Sequence, residues 1–200
     1  MIDDAGHVGF AGPTYVSLRS TRHQRFTADD EDLDFDRVVK LREFEKTARN
    51  HIGAIKPILI MAVDSLNPTD YTRFPKTLMS AINRFKKYNF DALFLVTLAS
   101  GQTLFNVVER RLATLSHDLS GLVLPHDYFG THLNVSGYTV DAELEKSNVK
   151  RAGEVLADVW SMDMIDGHPV LAEFIDPPTS VDRSLRFIDS RTTVDHLVDE

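Results

Sequence analysis

The sequence predicts an α/β fold, a mixed sheet flanked by helices with a mostly helical C-terminal extension. Three observations carry the prediction. Two segments of strand length stand out, the unbroken apolar run 58–63 and the largely apolar stretch 91–98. Apolar residues recur at helical spacing before, between and after them. The order strand, helix, strand, helix, strand, helix favours neighbouring parallel strands joined by right-handed crossovers.

Residues 1–12 are small, polar and glycine-rich (Gly6, Gly9, Gly12) and read as a flexible start. After the turn signal Gly12-Pro13, residues 14–20 alternate, with Tyr15, Val16 and Leu18 of strand type. The charged stretch 21–32, with Asp29, Asp30, Glu31 and Asp32, reads as a solvated loop. Asp34 is placed as the cap of a helix starting at Phe35. That helix sets Phe35, Val38, Val39, Phe44 and Ala48 on one face, Arg37, Lys40 and Glu43 on the other, and ends at Asn50 and Gly53. The run 58–63 follows Lys56-Pro57 and stops at Asp64, as expected of a strand buried on both faces. Pro75 suits the first turn of a second helix, with Leu78, Met79, Ile82 and Phe85 inward and Lys76, Arg84, Lys86 and Lys87 outward. A second buried strand occupies 91–98. A third helix runs over 104–119 on the stripe Phe105, Val108, Leu112, Leu115 and Leu119, with Gly121 as its stop. Beyond it, 140–160 reads as helix and 177–200 as a mobile tail.

Composition narrows function. Hydrophobic residues at 42% and charged residues at 26% are globular proportions and exclude a wholly disordered chain. A net charge of −8 suits poorly a protein that grips DNA by itself, because that grip rests on Lys and Arg at phosphates. With no cysteine, disulfides and thiolate sites are excluded, which fits a reducing compartment. Met1-Ile2-Asp3-Asp4 lacks the basic and apolar regions of a signal peptide. The longest apolar run, 58–63, is far short of the ~20 residues that span a bilayer. The expectation is an intracellular protein without a membrane span.

Asp64 is the most informative position. An acid directly after a buried strand lies at the carboxyl end of the sheet, where α/β proteins place ligands, although Asp there also bonds its own turn. Glu109 borders the buried stripe of the third helix, whose first turns lie near the same edge. The two can converge although they are 45 positions apart. Hard oxygen ligands of this kind suit Mg²⁺ or Mn²⁺, but one Asp and one Glu are few for an ion pair. His117, His126 and His132, with Asp127, fall within sixteen positions but match no standard zinc spacing, so hydrogen-bonding or surface histidines are expected. Asn134-Val135-Ser136 is a formal glycosylation acceptor without a secretory context. Trp160, with Val155, Leu156 and Val159, reads as a packing anchor. Arg19, Arg22, His23 and Arg25 read as a solvated face, with phosphate contact as the alternative.

Three segments carry a resemblance: Lys56-Pro57-Ile58-Leu59-Ile60-Met61-Ala62-Val63-Asp64, then Asp91-Ala92-Leu93-Phe94, then Phe105-Asn106-Val107-Val108-Glu109-Arg110-Arg111. Together they resemble the core of DDE transposases of ribonuclease-H-like fold, and more closely the transposon-derived proteins of animal genomes. The likeness extends upstream to Gly12-Pro13-Thr14-Tyr15 and downstream through Leu122-Val123-Leu124-Pro125-His126-Asp127-Tyr128-Phe129-Gly130-Thr131-His132-Leu133 and Glu143-Leu144-Glu145-Lys146, covering roughly 12–160. It implies metal-dependent DNA strand cleavage and transfer. Asp64 and Glu109 would be the second and third carboxylates, catalytic and ligating Mg²⁺ or Mn²⁺, with Asn106 beside them.

The chain also departs from that family. Its first catalytic Asp belongs to an opening strand, and Asp3 and Asp4 stand in no apolar context. Ser65-Leu66-Asn67-Pro68 replaces the Gly-Gly-Pro-Asp-type turn, Asn106-Val107 replaces Asn-Pro, and no helix-turn-helix is recognisable. The resemblance therefore implies a truncated copy: 13–121 as a ribonuclease-H-like core without its opening strands, and 122–176 as an extension. DNA would be an ancestral partner, with the nucleus among the compartments expected, and catalysis would be lost with the first carboxylate. The alternatives are a protein-binding module that uses an exposed sheet edge for a partner or a second copy, or a gene-model fragment.

Overall fold

A computed structural model describes residues 12–24, 28–63, 74–97 and 107–177. Its elements are β1 (Thr14–Leu18), α1 (Ala28–Val38), a 3₁₀ turn (Arg42–Phe44) running into α2 (Glu45–Ala48), β2 (Ile58–Val63), α3 (Phe74–Tyr88), β3 (Ala92–Thr97), α4 (Val107–Asp118), α5 (Ala142–Trp160), β4 (Met164–Ile165) and β5 (His168–Phe174). The class is α/β, as expected. Among the described residues the strands form two sheets: a parallel pair β2–β3, and a mixed sheet in the order β1–β5–β4. Ile58 lies opposite Ala92 and Val63 opposite Thr97, so the parallel pair ends in register at its carboxyl edge.

The segment 122–176 differs from the mostly helical expectation. It supplies α5 and then a hairpin whose second strand runs parallel to β1, Thr14 opposite Val170 and Leu18 opposite Phe174. The turn is Asp166-Gly167, both at positive φ, the two-residue chemistry that suits a right-twisted hairpin. α5 begins at the N-cap Asp141, whose carboxylate accepts the Leu144 N–H at 2.9 Å. β5 lies on α5 at Gly153, where an added Cβ would stand 2.2 Å from the Phe174 ring. The apolar core here is Leu115, Ile165 and Val170, with Val16, Leu112 and Trp160 against it. Trp160 is a packing anchor, as expected, and its indole N–H donates to the Leu115 carbonyl at 3.0 Å. Leu119, placed on the same stripe, is exposed.

Three expectations around β2 and β3 are corrected. First, the end of the acidic stretch read as loop, 28–32, forms the first half of α1, and the single helix expected from Phe35 is two pieces broken near Val39–Leu41. The acids are compatible with helix because each of four alternate positions has a donor. Asp30 accepts from Gln24 at 2.8 Å. Asp34 takes both Arg19 guanidinium nitrogens at 2.7 and 2.5 Å and the Ser17 hydroxyl at 2.7 Å. Asp32 accepts from Arg84 Nε at 2.8 Å, and Asp36 from Lys87 at 2.5 Å and from the Tyr88 hydroxyl. Residues four apart share a helix face, so Asp30 and Asp34 face the β1 side while Asp32 and Asp36 face α3. Asp34 is thus a bridging anion and not a cap.

Second, Arg84 points inward: it is 3% exposed, lies over the Phe35 ring at 5.2 Å and touches Met61 Sδ at 2.8 Å. Ser80 and Ala81 are buried beside it, while Leu78 and Phe85 are exposed. The counter-charge of Asp32 explains why a cation occupies this position; without one, burial would be prohibitive. Third, β2 and β3 are not buried on both faces. Ile58, Ile60, Phe94 and Val96 are 58, 67, 53 and 46% exposed. The register puts all four on one face, and no described helix covers it.

Among the described residues no helix is long and apolar enough to cross a membrane.

Candidate functional site

The carboxyl edge of β2–β3 is where the sequence places the site. The described part of β2 ends at Val63, so Asp64 would follow directly; Asp64 and Asn106 lie outside the described residues, as do Asp3 and Asp4. Glu109 is the third residue of α4, a first-turn position that suits a carboxylate through the helix dipole, and its side chain lies outside the description. The structure aligns the two parallel strands that lead to this edge and gives no separation between the two carboxylates.

Among the described strands, β1, which pairs with β5 in the other sheet, carries no acid. β1 reads Thr14, Tyr15, Val16, Ser17, Leu18. Two of its polar side chains are engaged: the Tyr15 hydroxyl donates to Glu173 and the Ser17 hydroxyl to Asp34. Burial, followed by the Glu173 carboxylate, pushes the Tyr15 hydroxyl up from its ordinary value.

The four aspartates of α1 named above are occupied by the cations and donors that face them. Burial pushes the Asp36 carboxyl up, but donation from Lys87 and Tyr88 outweighs it and holds the group below the ordinary carboxylate range. Burial and the neighbouring Asp36 carboxylate push the Tyr88 hydroxyl up in turn. Glu31, half-buried, is raised by that burial. A carboxylate locked onto a guanidinium or an ammonium has given up the lone pairs and charge that a divalent cation needs. The two carboxylates that the sequence places at this edge, Asp64 and Glu109, would suit one hard ion and would be few for a pair. Among the described residues no three His, Asp or Glu side chains are grouped to hold a metal.

The histidines take the roles expected of hydrogen-bonding and surface residues. His117 on α4 and His126 are exposed, the latter 3.8 Å from Asp127. His132 is buried, and its Nδ1 lies 3.1 Å from Asn148 Nδ2. Asn148, with no exposed surface, also donates to the Gly130 carbonyl and accepts from the Phe129 N–H, both at 2.9 Å. It pins the loop 129–132 to α5.

The basic group after β1, expected as a solvated face with phosphate contact as the alternative, is divided where it is described: Arg19 and His23 turn inward, while Arg22 keeps 65% of its side chain exposed. Arg19 is sequestered by Asp34, and Arg22 pairs with the buried Glu145 at 2.9 Å. His23 meets the Ser20 hydroxyl at 2.8 Å, with its Nε2 3.8 Å from Glu145. Arg25 lies outside the described residues. Sequence reasoning missed Arg84, Asn148 and Glu145 as organising residues. Each is polar and buried against a partner more than ten positions away, and helical periodicity carries no signal for that. Compared with protein-family models, with curated proteins and with solved structures, the chain matches none.

Proposed function

We propose that the chain is a transposase-derived protein that descends from a DDE enzyme of ribonuclease-H-like fold and lacks strand-transfer activity itself. The observation that carries this reading is the acid-free β1, with its Tyr15 and Ser17 side chains engaged, set against the motif acids Asp64 and Glu109. Bound Mg²⁺ or Mn²⁺ ions would stabilise attacking and leaving oxygens during DNA cleavage. Two carboxylates hold one such ion weakly and cannot bridge two. A negative protein whose described bases after β1 are internally paired also offers little to a phosphate backbone.

The test is nicking of supercoiled DNA by the purified chain with Mg²⁺ or Mn²⁺. No nicking at any metal concentration is expected. Nicking that disappears in both Asp64→Ala and Glu109→Ala would overturn the proposal.

One observation favours a second reading, a non-catalytic binding module. The outer edges of β1 and β2 have no strand partner among the described residues, and unpaired edges accept an added strand. Sedimentation that stays monomeric at high concentration would count against pairing with a second copy.

A further inference from the structure

A cavity of about 660 Å³ opens between the amino ends of β1 and β2, within the size range of small-molecule sites. Its inner wall is apolar: Val39 and Phe90 are buried, and Phe35 meets the Phe90 ring edge-on at 6.2 Å. Phe44 and Ala48 close one side, and Ile58 and Ile60 carry the wall out onto the exposed face of β2.

The charges on this wall run against those of the chain as a whole. The protein has 30 acidic and 22 basic residues, yet the charged residues lining the cavity are Lys56 and Arg111, with no acid among the lining residues described. Arg111 is held in place by Asp166 at 2.9 Å and by the Gly12 carbonyl. Lys56 makes no ion pair among the described residues. Its ammonium donates to the Lys46 carbonyl at 3.2 Å, which leaves two N–H donors. An apolar chamber with a cationic mouth complements a molecule that has an apolar body and one anionic end.

We propose that this cavity binds an aliphatic monocarboxylate, its chain along the phenylalanine wall and its carboxylate at Lys56. The proposal uses neither Asp64 nor Glu109 and stands whether or not the transposase ancestry holds.

The test is isothermal titration of the full chain with octanoate, decanoate and dodecanoate below their micelle concentrations, and with decan-1-ol. One saturable site is expected, with affinity rising about fourfold per methylene added, as buried CH₂ groups give. Decan-1-ol should bind at least about tenfold more weakly than decanoate, because it forgoes a charge-assisted hydrogen bond. Lys56→Gln, at an exposed position, should remove that preference while leaving alcohol binding unchanged. Ala48→Phe, with its fold checked by circular dichroism, should narrow the chamber and weaken every ligand. No saturable binding, equal affinity for acid and alcohol, or an unaltered preference in Lys56→Gln would each overturn the proposal. So would a concentration-dependent dimer that dodecanoate fails to dissociate, since a second copy would then be the occupant.

Discussion

The half built on β1, β5 and α5 and the half built on β2, β3 and α3 combine apolar contact and ion pairs in different proportion. In the first, strands and helix meet through apolar contact: Val170 is 2% exposed, Trp160 and Leu115 close over it, and Gly153 lets Phe174 approach the helix backbone. In the second, α3 is fastened to α1 by Arg84–Asp32 and Lys87–Asp36, while four large apolar side chains of the ribbon face outward. α1 belongs to both, with Asp34 serving one side and Asp32 and Asp36 the other. Ion pairs titrate with pH and are screened by salt, whereas apolar packing does not titrate and is not weakened by screening. The halves should therefore fail under different conditions.

The sharpest way to break the comparison is Gly153→Val. The new side chain must displace the Phe174 ring or push β5 off α5, and overpacking of this kind costs about 3 kcal/mol. Urea denaturation measures it, and a loss near zero would mean that the close approach is not maintained. Arg84→Met is next. It leaves Asp32 without its partner next to apolar side chains, with a cost of about 2 kcal/mol because Asp32 keeps some contact with water. Asp32→Asn in the same chain should recover part of that loss.

A smaller effect separates the halves by pH. The native Asp36 carboxyl titrates below its ordinary value, so its contribution to stability is present above the ordinary carboxylate range and is lost as pH falls through the native value. Asp36→Asn should be less stable than the parent at pH 7. The difference should shrink below about pH 4, as read from denaturation midpoints across that range. The smallest expected effect is Ile60→Ser on the open face of β2, within about 0.5 kcal/mol of the parent. A large loss there would show that the face is covered in solution.

The same contrast explains what could be read in the sequence. β2, β3 and α3 were legible because an unbroken apolar run or helical spacing marks each of them. β5 was not, since His168, Pro169 and Glu173 break up its apolar residues. The Asp166-Gly167 pair was the available hint. α1 was misjudged because clustered acids look like a solvated loop until Arg19, Arg84 and Lys87 are known to converge on them. Exposure of the β2–β3 face could not be read from composition, because burial depends on what lies above a strand. The proposed site rests on two motif acids read from the sequence and on a third that the sequence does not supply. The absence of acid on β1 is visible in the letters, but the engagement of Tyr15 and Ser17 becomes visible only once β5 and α1 are placed.

The central claim is that two retained carboxylates, Asp64 and Glu109, share a site for one hard cation without a third to complete a pair. A crystal soaked in Mn²⁺ and read by anomalous scattering at the carboxyl edge of β2–β3 tests it most directly. The account predicts one partly occupied ion with an oxygen of each residue at about 2.2 Å, lost in Asp64→Ala. Two fully occupied ions joined by another carboxylate, or the two acids on opposite sides of the sheet, would contradict it.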